Sequence, residues 1–233
     1  MLERNYIVPE NGWRTAELFH ELQDLSGAAV EGSDASSAAL CELGLMWIVV
    51  RYELTFTRPF QAGEFLTFRT WANPFRHRMS QRNYFAFDTS GNTVMRGAGI
   101  WSVADRIRRN MVEPEDYSIC FDTESTGEEA ARPATPQKIP LTESVMYTVP
   151  AEVLDSNGHM NNTRYFSLAE DCIGGISQKF SLAEAKVAYQ NEARLGDKLN
   201  VQWGRDGNRF YCLGTGSRGI CFQMGLKYIP RDS

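Results

Sequence analysis

The sequence predicts an α+β fold built from two successive copies of one plan, each an antiparallel sheet wrapped around its own apolar helix. Three observations predict it. Each half of the 233 residues opens on a short apolar strand and an Asn-Gly pair, then runs through a helical stretch into four strand-like stretches. Turns fall at matching places in the two halves: Gly63-Glu64 against Gly196-Asp197, and residues 88–92 against 204–208. Between the halves, residues 121–140 are polar and carry Pro133, Pro136 and Pro140, the composition of a linker. The expected division is therefore 1–120, a linker over 121–140, and 141–233.

The elements follow in order. A first strand is expected over 4–8, then a helix with Leu18, Leu22, Leu25 and Ala29 on one face. Strands are expected over 45–57, 64–72, 81–88 and 93–104. In the first of these, Tyr52, Leu54 and Phe56 alternate with polar neighbours, the period of a half-buried strand. The second half repeats this with a strand over 145–149 and a helix that lines up Tyr165, Leu168, Ala169, Cys172, Ile173 and Ile176. Its later strands are expected over 186–192, 198–203, 209–215 and 219–229, the last alternating Ile220, Phe222, Met224, Leu226 and Tyr228. Gly97, Gly99 and the Gly174-Gly175 pair are expected where helix and sheet come close.

Composition excludes several function classes. Hydrophobic residues make up 42% and charged residues 23%, the balance of a folded globular chain. No run approaches the roughly 18 apolar residues of a spanning helix, so no membrane association is expected. A formal net charge of −5 argues against nucleic-acid binding. The N-terminus lacks the apolar core of a signal peptide. Cys41, Cys120, Cys172, Cys212 and Cys221 are dispersed, without Cys-x-x-Cys spacing. They are expected as reduced core-filling thiols in a cytoplasmic protein. His20, His77 and His159 share no metal-ligand spacing, and no metal or cofactor is expected.

The chemistry is expected in one stretch, Asp155-Ser156-Asn157-Gly158-His159-Met160-Asn161-Asn162-Thr163. A carboxylate, an amide and an imidazole lie two residues apart, which in an extended segment points them to one face. The Asn-Asn-Thr run that follows is suited to capping the second apolar helix. The three side chains thus arrive at a helix N-terminus, where backbone N–H groups point outward and favour developing negative charge.

These residues carry a family resemblance. Asp155-x-Asn157-x-His159-Met160-Asn161-Asn162-x-x-Tyr165 resembles the signature of the acyl-acyl carrier protein (acyl-ACP) thioesterases of plant plastids and bacteria. Trp47-Ile48-Val49-Val50-Arg51 resembles their Trp-x-(Val/Ile)-x-Arg strand, and Tyr189-Gln190-Asn191-Glu192 their Tyr-x-x-Glu strand. Arg82 and Trp101 also fall where the family tends to carry such residues. The resemblance spans roughly residues 4–229. It implies a tandem, or double, hotdog fold and hydrolysis of fatty acyl-ACP to free fatty acid and holo-ACP. Plant members carry Cys directly after the Glu of the last motif. Ala193 stands there in this chain, so a cysteine nucleophile at that position is impossible.

The resemblance implies Asp155, Asn157, His159 and Glu192 as catalytic residues. His159 and Glu192 are candidates to orient or deprotonate water, since an imidazole titrates near neutrality. Asn157 and the start of the second helix are candidates to stabilise the oxyanion, and Asp155 to hold or charge-stabilise a neighbour. Which carboxylate acts as base stays open. The acyl slot is expected in the first half, with Leu18, Leu22, Met46, Ile48, Phe65, Phe68 and Trp101 as candidate interior residues. Acyl carrier proteins are acidic, so a basic docking patch is expected at Arg76, Arg78, Arg108 and Arg109. An acyl-coenzyme A thioesterase, a hydratase on the same fold and a non-catalytic acyl-thioester sensor are the alternatives. A monomer and a homodimer both fit a tandem repeat.

Overall fold

Among the described residues, alternating apolar side chains build ten strands, and the strands build one antiparallel sheet. The structure is a computed structural model and describes residues 1–121, 123, 128–174 and 180–230. In the first half β1 is Leu2–Ile7, β2 Leu45–Phe56, β3 Phe65–Ala72, β4 Met79–Phe87 and β5 Thr93–Asp105. In the second half β6 is Glu143–Thr148, β7 Phe180–Tyr189, β8 Lys198–Asp206, β9 Arg209–Gly216 and β10 Gly219–Pro230. The order across the sheet is β1-β3-β4-β5-β2-β7-β10-β9-β8-β6. Each half therefore arranges its five strands in the same permutation, and the halves join edge to edge. The seam pairs β2 with β7 from Arg51↔Ala188 to Thr55↔Glu184, and Lys186 Nζ reaches Glu53 Oε1 across it at 3.2 Å.

Two helices lie inside this sheet: α1, Thr15–Ala28, and, after the short α2, Ser37–Glu42, the helix α3, Arg164–Cys172. Helix α1 buries Leu18, Phe19, Leu22 and Leu25, and α3 buries Tyr165, Phe166, Leu168 and Ala169, so each apolar stripe faces the core. The helices meet at Phe19 and Phe166, whose rings stack with centroids 3.9 Å apart. They also meet at Glu170, which is buried and accepts hydrogen bonds from both the N–H (3.4 Å) and the hydroxyl of Thr15. A side chain of the second helix thereby satisfies an orphan donor at the start of the first. No helix among the described residues is long and apolar enough to cross a membrane.

Several expectations need correction. Helix α2 was not expected; Ser36 caps its start, its hydroxyl accepting the Ala39 N–H at 3.2 Å. Strand β7 begins six residues earlier than expected and ends at Tyr189, so Glu192 lies in the loop beyond it. Gly97 and Gly99 do not face a helix. A Cβ on Gly99 would stand 2.6 Å from the Tyr52 ring and 2.9 Å from Trp101 Nε1, and one on Gly97 would stand 2.1 Å from the Glu53 carbonyl oxygen. The close approach is to β2 and its aromatic neighbours. Gly174 follows α3 with φ +75°, open space around it, and serves the turn after the helix. Ile176, Gly175 and the linker positions 122 and 124–127 lie outside the described residues.

The described end of the segment between the halves is fastened to the sheet. Ala130 is buried against Trp71, Phe85 and Ala98 on the sheet face opposite the helices. Its N–H donates to Asn83 Oδ1 (3.1 Å), its carbonyl accepts from Gln81 Nε2 (2.9 Å), and the Ala134 N–H donates to Glu53 Oε2 (2.9 Å). Cys212 and Cys221 are core-filling thiols, as expected, but Cys41 and Cys120 are exposed. Phe65, expected inside, is 44% exposed.

Candidate active site

The polar motif folds as a tight turn rather than an extended segment. Asn157-Gly158 is a turn-forming pair, and Gly158 takes φ +75°, which a side chain would resist. The Asp155 N–H donates to the His159 carbonyl (2.8 Å) and the Gly158 N–H to the Asp155 carbonyl (3.0 Å). The Asp155 carboxylate locks the turn from within: Oδ1 accepts the N–H of Asn157 (2.8 Å) and of His159 (3.3 Å). Asp155 therefore acts on the backbone of the turn, and on the imidazole only through its charge. The turn is then sewn to the distant loop after β7, with the Met160 N–H donating to the Ala193 carbonyl at 2.8 Å.

That loop carries Glu192 and is itself braced. Asp197 Oδ2 accepts the Arg194 N–H (2.9 Å) and an Arg218 N–H (2.6 Å), while Arg218 also donates to the Glu192 carbonyl (2.9 Å). The result brings His159 Nε2 to 3.0 Å from Glu192 Oε2, with side chains 9% and 30% exposed. The other Glu192 oxygen, Oε1, lies 3.1 Å from a guanidinium nitrogen of Arg109, and an Arg194 nitrogen lies 3.5 Å from Oε2. Burial holds the His159 imidazole below its ordinary pKa; Glu192 and Asp155 push it up, while Arg109 and Arg194 reinforce burial. A neutral imidazole at neutral pH is one that accepts a proton.

The start of α3 differs from expectation. Thr163 is its N-cap residue, and Asn161 Oδ1 takes the Thr163 N–H (2.9 Å) and hydroxyl (2.8 Å), while the Asn161 carbonyl takes the Arg164 N–H (2.9 Å). Those two backbone donors are thus occupied. Among the described residues no protein acceptor meets the Asn162 N–H, and Asn162 and Asn157 both line the adjoining cavity.

The cavity has a volume of about 770 Å³, within the range of small-molecule sites. Asp155, Asn157, Asn161 and Asn162 of the second half line one part of it; Met46, Trp47, Val49, Arg82 and Trp101 line the part in the first half. Of the expected interior residues, Met46 and Trp101 face the cavity, while Leu18, Leu22 and Phe68 are core and Ile48 is half-buried. Arg82 is buried, donates to Thr70 Oγ1 at 3.4 Å, and has its pKa lowered by burial. Met46 connects the cavity to the polar pair, since its sulfur lies 3.4 Å from the Arg109 nitrogen that holds Glu192.

The expected docking arginines separate on the structure. Arg76 and Arg108 are exposed. Arg78 is tied to Glu113 at 2.9 Å, and Arg109 turns inward to Glu192. The Arg109 contact is the part of the site that sequence reasoning missed; its basic neighbours signalled a surface patch instead.

Comparison with known proteins agrees with this arrangement. The model of the acyl-ACP thioesterase N-terminal domain matches residues 11–119, and that of the C-terminal domain matches residues 137–215. No curated protein matches in sequence. Among solved structures, an acyl-ACP thioesterase from Bacteroides thetaiotaomicron superposes with a TM-score of 0.75 at 17% identity, covering 98% of this chain and 97% of that one. A protein described as an oleoyl thioesterase, from Lactobacillus plantarum, gives 0.81 at 17% identity, covering 99% and 96%. The 12:0-ACP thioesterase from Umbellularia californica gives 0.77 at 14% identity, covering 99% and 97%. The likeness to these structures establishes the tandem hotdog fold, and the two domain models, which between them match most of the chain, establish that it belongs to the acyl-ACP thioesterase family.

Proposed function

We propose that this chain hydrolyses fatty acyl-ACP at the His159–Glu192 pair, releasing free fatty acid and holo-ACP. The observation that carries the reading is the 3.0 Å contact between a buried imidazole and a carboxylate from a distant loop. Neither residue lines the cavity, but the imidazole is on the turn whose Asp155 and Asn157 do, and Arg109 links the carboxylate to Met46 on its wall. The acyl chain occupies the part of the cavity in the first half, and the thioester carbonyl lies near Asn157 and Asn162. Water held by the pair loses a proton to it and attacks the carbonyl carbon. The oxyanion is stabilised by the Asn157 amide and the Asn162 N–H. The C–S bond then breaks, and the proton returns to the departing phosphopantetheine sulfur. No metal or cofactor enters these steps.

The acidic carrier protein docks against Arg76 and Arg108, which are exposed and, unlike Arg78 and Arg109, are not tied to Glu113 or Glu192. The test is thiol release from acyl-ACPs of varied chain length, side by side with the same acyl groups on coenzyme A. Faster turnover on the carrier-bound series supports the reading, and preference for coenzyme A reassigns the substrate. Tight binding without thiol release would identify a sensor. Charge reversal with Arg108→Glu is expected to raise KM for acyl-ACP more than for acyl-coenzyme A, most clearly at low salt; equal effects on both would remove Arg108 from docking.

A further inference from the structure

We infer that Arg109, from the first half of the chain, is a positioning residue of the hydrolytic site, which it completes by holding Glu192 from the side opposite His159. This inference rests on the hydrolase reading and assigns a role within it. The two oxygens of Glu192 are divided: Oε2 meets His159 at 3.0 Å and Oε1 meets Arg109 at 3.1 Å. A carboxylate pinned at one oxygen by a guanidinium cannot rotate freely, so its other oxygen stays on the imidazole. Arg194, two residues from Glu192, makes a longer contact of 3.5 Å and moves with the same loop. Arg109 is 83 positions away in sequence and belongs to the turn after β5, so it fixes Glu192 relative to the cavity wall in the first half.

The turn is built to aim this side chain inward. Asp105 Oδ1 accepts the N–H groups of Ile107 (2.8 Å) and Arg108 (2.7 Å), and the Asp105 carbonyl accepts that of Arg109 (3.0 Å). The Asp105 N–H closes the turn on the Asn110 carbonyl at 3.0 Å. Arg109 itself sits at φ +59°, a left-handed conformation that a non-glycine residue resists. Ile107, Arg108 and Arg109 are all exposed as residues, but the Arg109 side chain, one-third exposed, touches Met46 as well as Glu192. Four charged groups face the imidazole. Glu192 and Asp155 favour its protonation; Arg109 and Arg194 oppose it together with burial. Removing Arg109 therefore loosens Glu192 and lets His159 protonate at higher pH.

The experiment compares wild type, Arg109→Met and Arg109→Lys on acyl-ACP and on an S-acyl-N-acetylcysteamine of the same chain, which lacks the carrier. Arg109→Met is expected to lower kcat on both substrates, by up to about 10²-fold. It is also expected to move the acid limb of the kcat/KM profile upward. Arg109→Lys, which keeps the charge but not the fork, is expected to return the limb toward wild type while recovering only part of kcat. A rise confined to KM for acyl-ACP, with kcat, the acid limb and small-thioester turnover at wild-type values, would assign Arg109 to docking and overturn the inference. Failure of the hydrolase reading is separately visible, because wild type itself would then release no thiol from either substrate.

Discussion

At the residue scale the proposed hydrolysis depends on an imidazole that burial holds below its ordinary pKa. The acid limb of the wild-type kcat/KM profile is accordingly expected below the ordinary histidine value of 6.5, with activity falling as pH drops through it. Glu192→Gln removes an upward push on that pKa. The limb should move to still lower pH while turnover drops by about 10²–10⁴-fold, and pH-rate profiles of the two proteins check both effects. Asn157→Ala is expected to cost about 10²–10³-fold in kcat, the loss of one oxyanion donor, with an unchanged thermal midpoint. Wild-type turnover would remove Asn157 from the mechanism. The motif offered His159, Asn157 and Glu192 as candidates, and the structure brings the first and last to 3.0 Å and Asn157 to the cavity wall, though not through an extended segment. A spacing of two suggests a strand only if the backbone is extended, and Asn157-Gly158 folds it back, with Asp155 spent on the amides of the turn. Arg109 was illegible as a partner of Glu192 because its inward aim depends on a positive φ inside an arginine-rich stretch.

At the element scale the two inner helices are coupled through Glu170 at the start of α1. Burial raises the pKa of this carboxyl, the dominant influence on it, while Thr15, Arg14 and Tyr228 pull it down. The sign follows from the raised value. Between the ordinary 4.5 and the folded-state pKa the unfolded chain has already lost the proton that the folded chain keeps, so the stability linked to this group is present at low pH and lost as pH rises through that window. Glu170→Gln, which cannot titrate, should flatten this part of the stability-pH curve in denaturant titrations; an unchanged slope would place the dependence elsewhere. The helices themselves were legible from apolar periodicity at Leu18, Leu22 and Leu25 and at Tyr165, Leu168 and Ala169. The short α2 was not, since six residues hold too little periodicity to register. The start of β7 escaped because Phe180 to Ala185 mixes helix and strand formers, and only pairing with β10, joined by β2 from Glu184 onward, decides between them.

At the scale of the whole molecule the halves divide the work. The second carries the polar turn and the Glu192 loop; the first supplies most of the cavity wall and the guanidinium on Glu192. Separately expressed halves are therefore expected to release no thiol. The first, with the β2 edge uncovered, is expected to self-associate through its free backbone donors and acceptors. Size exclusion and activity before and after mixing check this, and a monomeric, active second half would contradict it. The repeat was visible in the matching turns, but not the single sheet it forms, because the β2–β7 seam leaves no local pattern beyond Glu53 and Lys186. That seam is mostly a ladder of main-chain bonds, indifferent to most side chains. A foreign first half that keeps its register, together with a ring to stack on Phe166 and a cation to meet Glu192, is an eligible graft. On the proposed reading, recombination between distant relatives exchanges most of the cavity wall while keeping the His159 turn and the Glu192 loop.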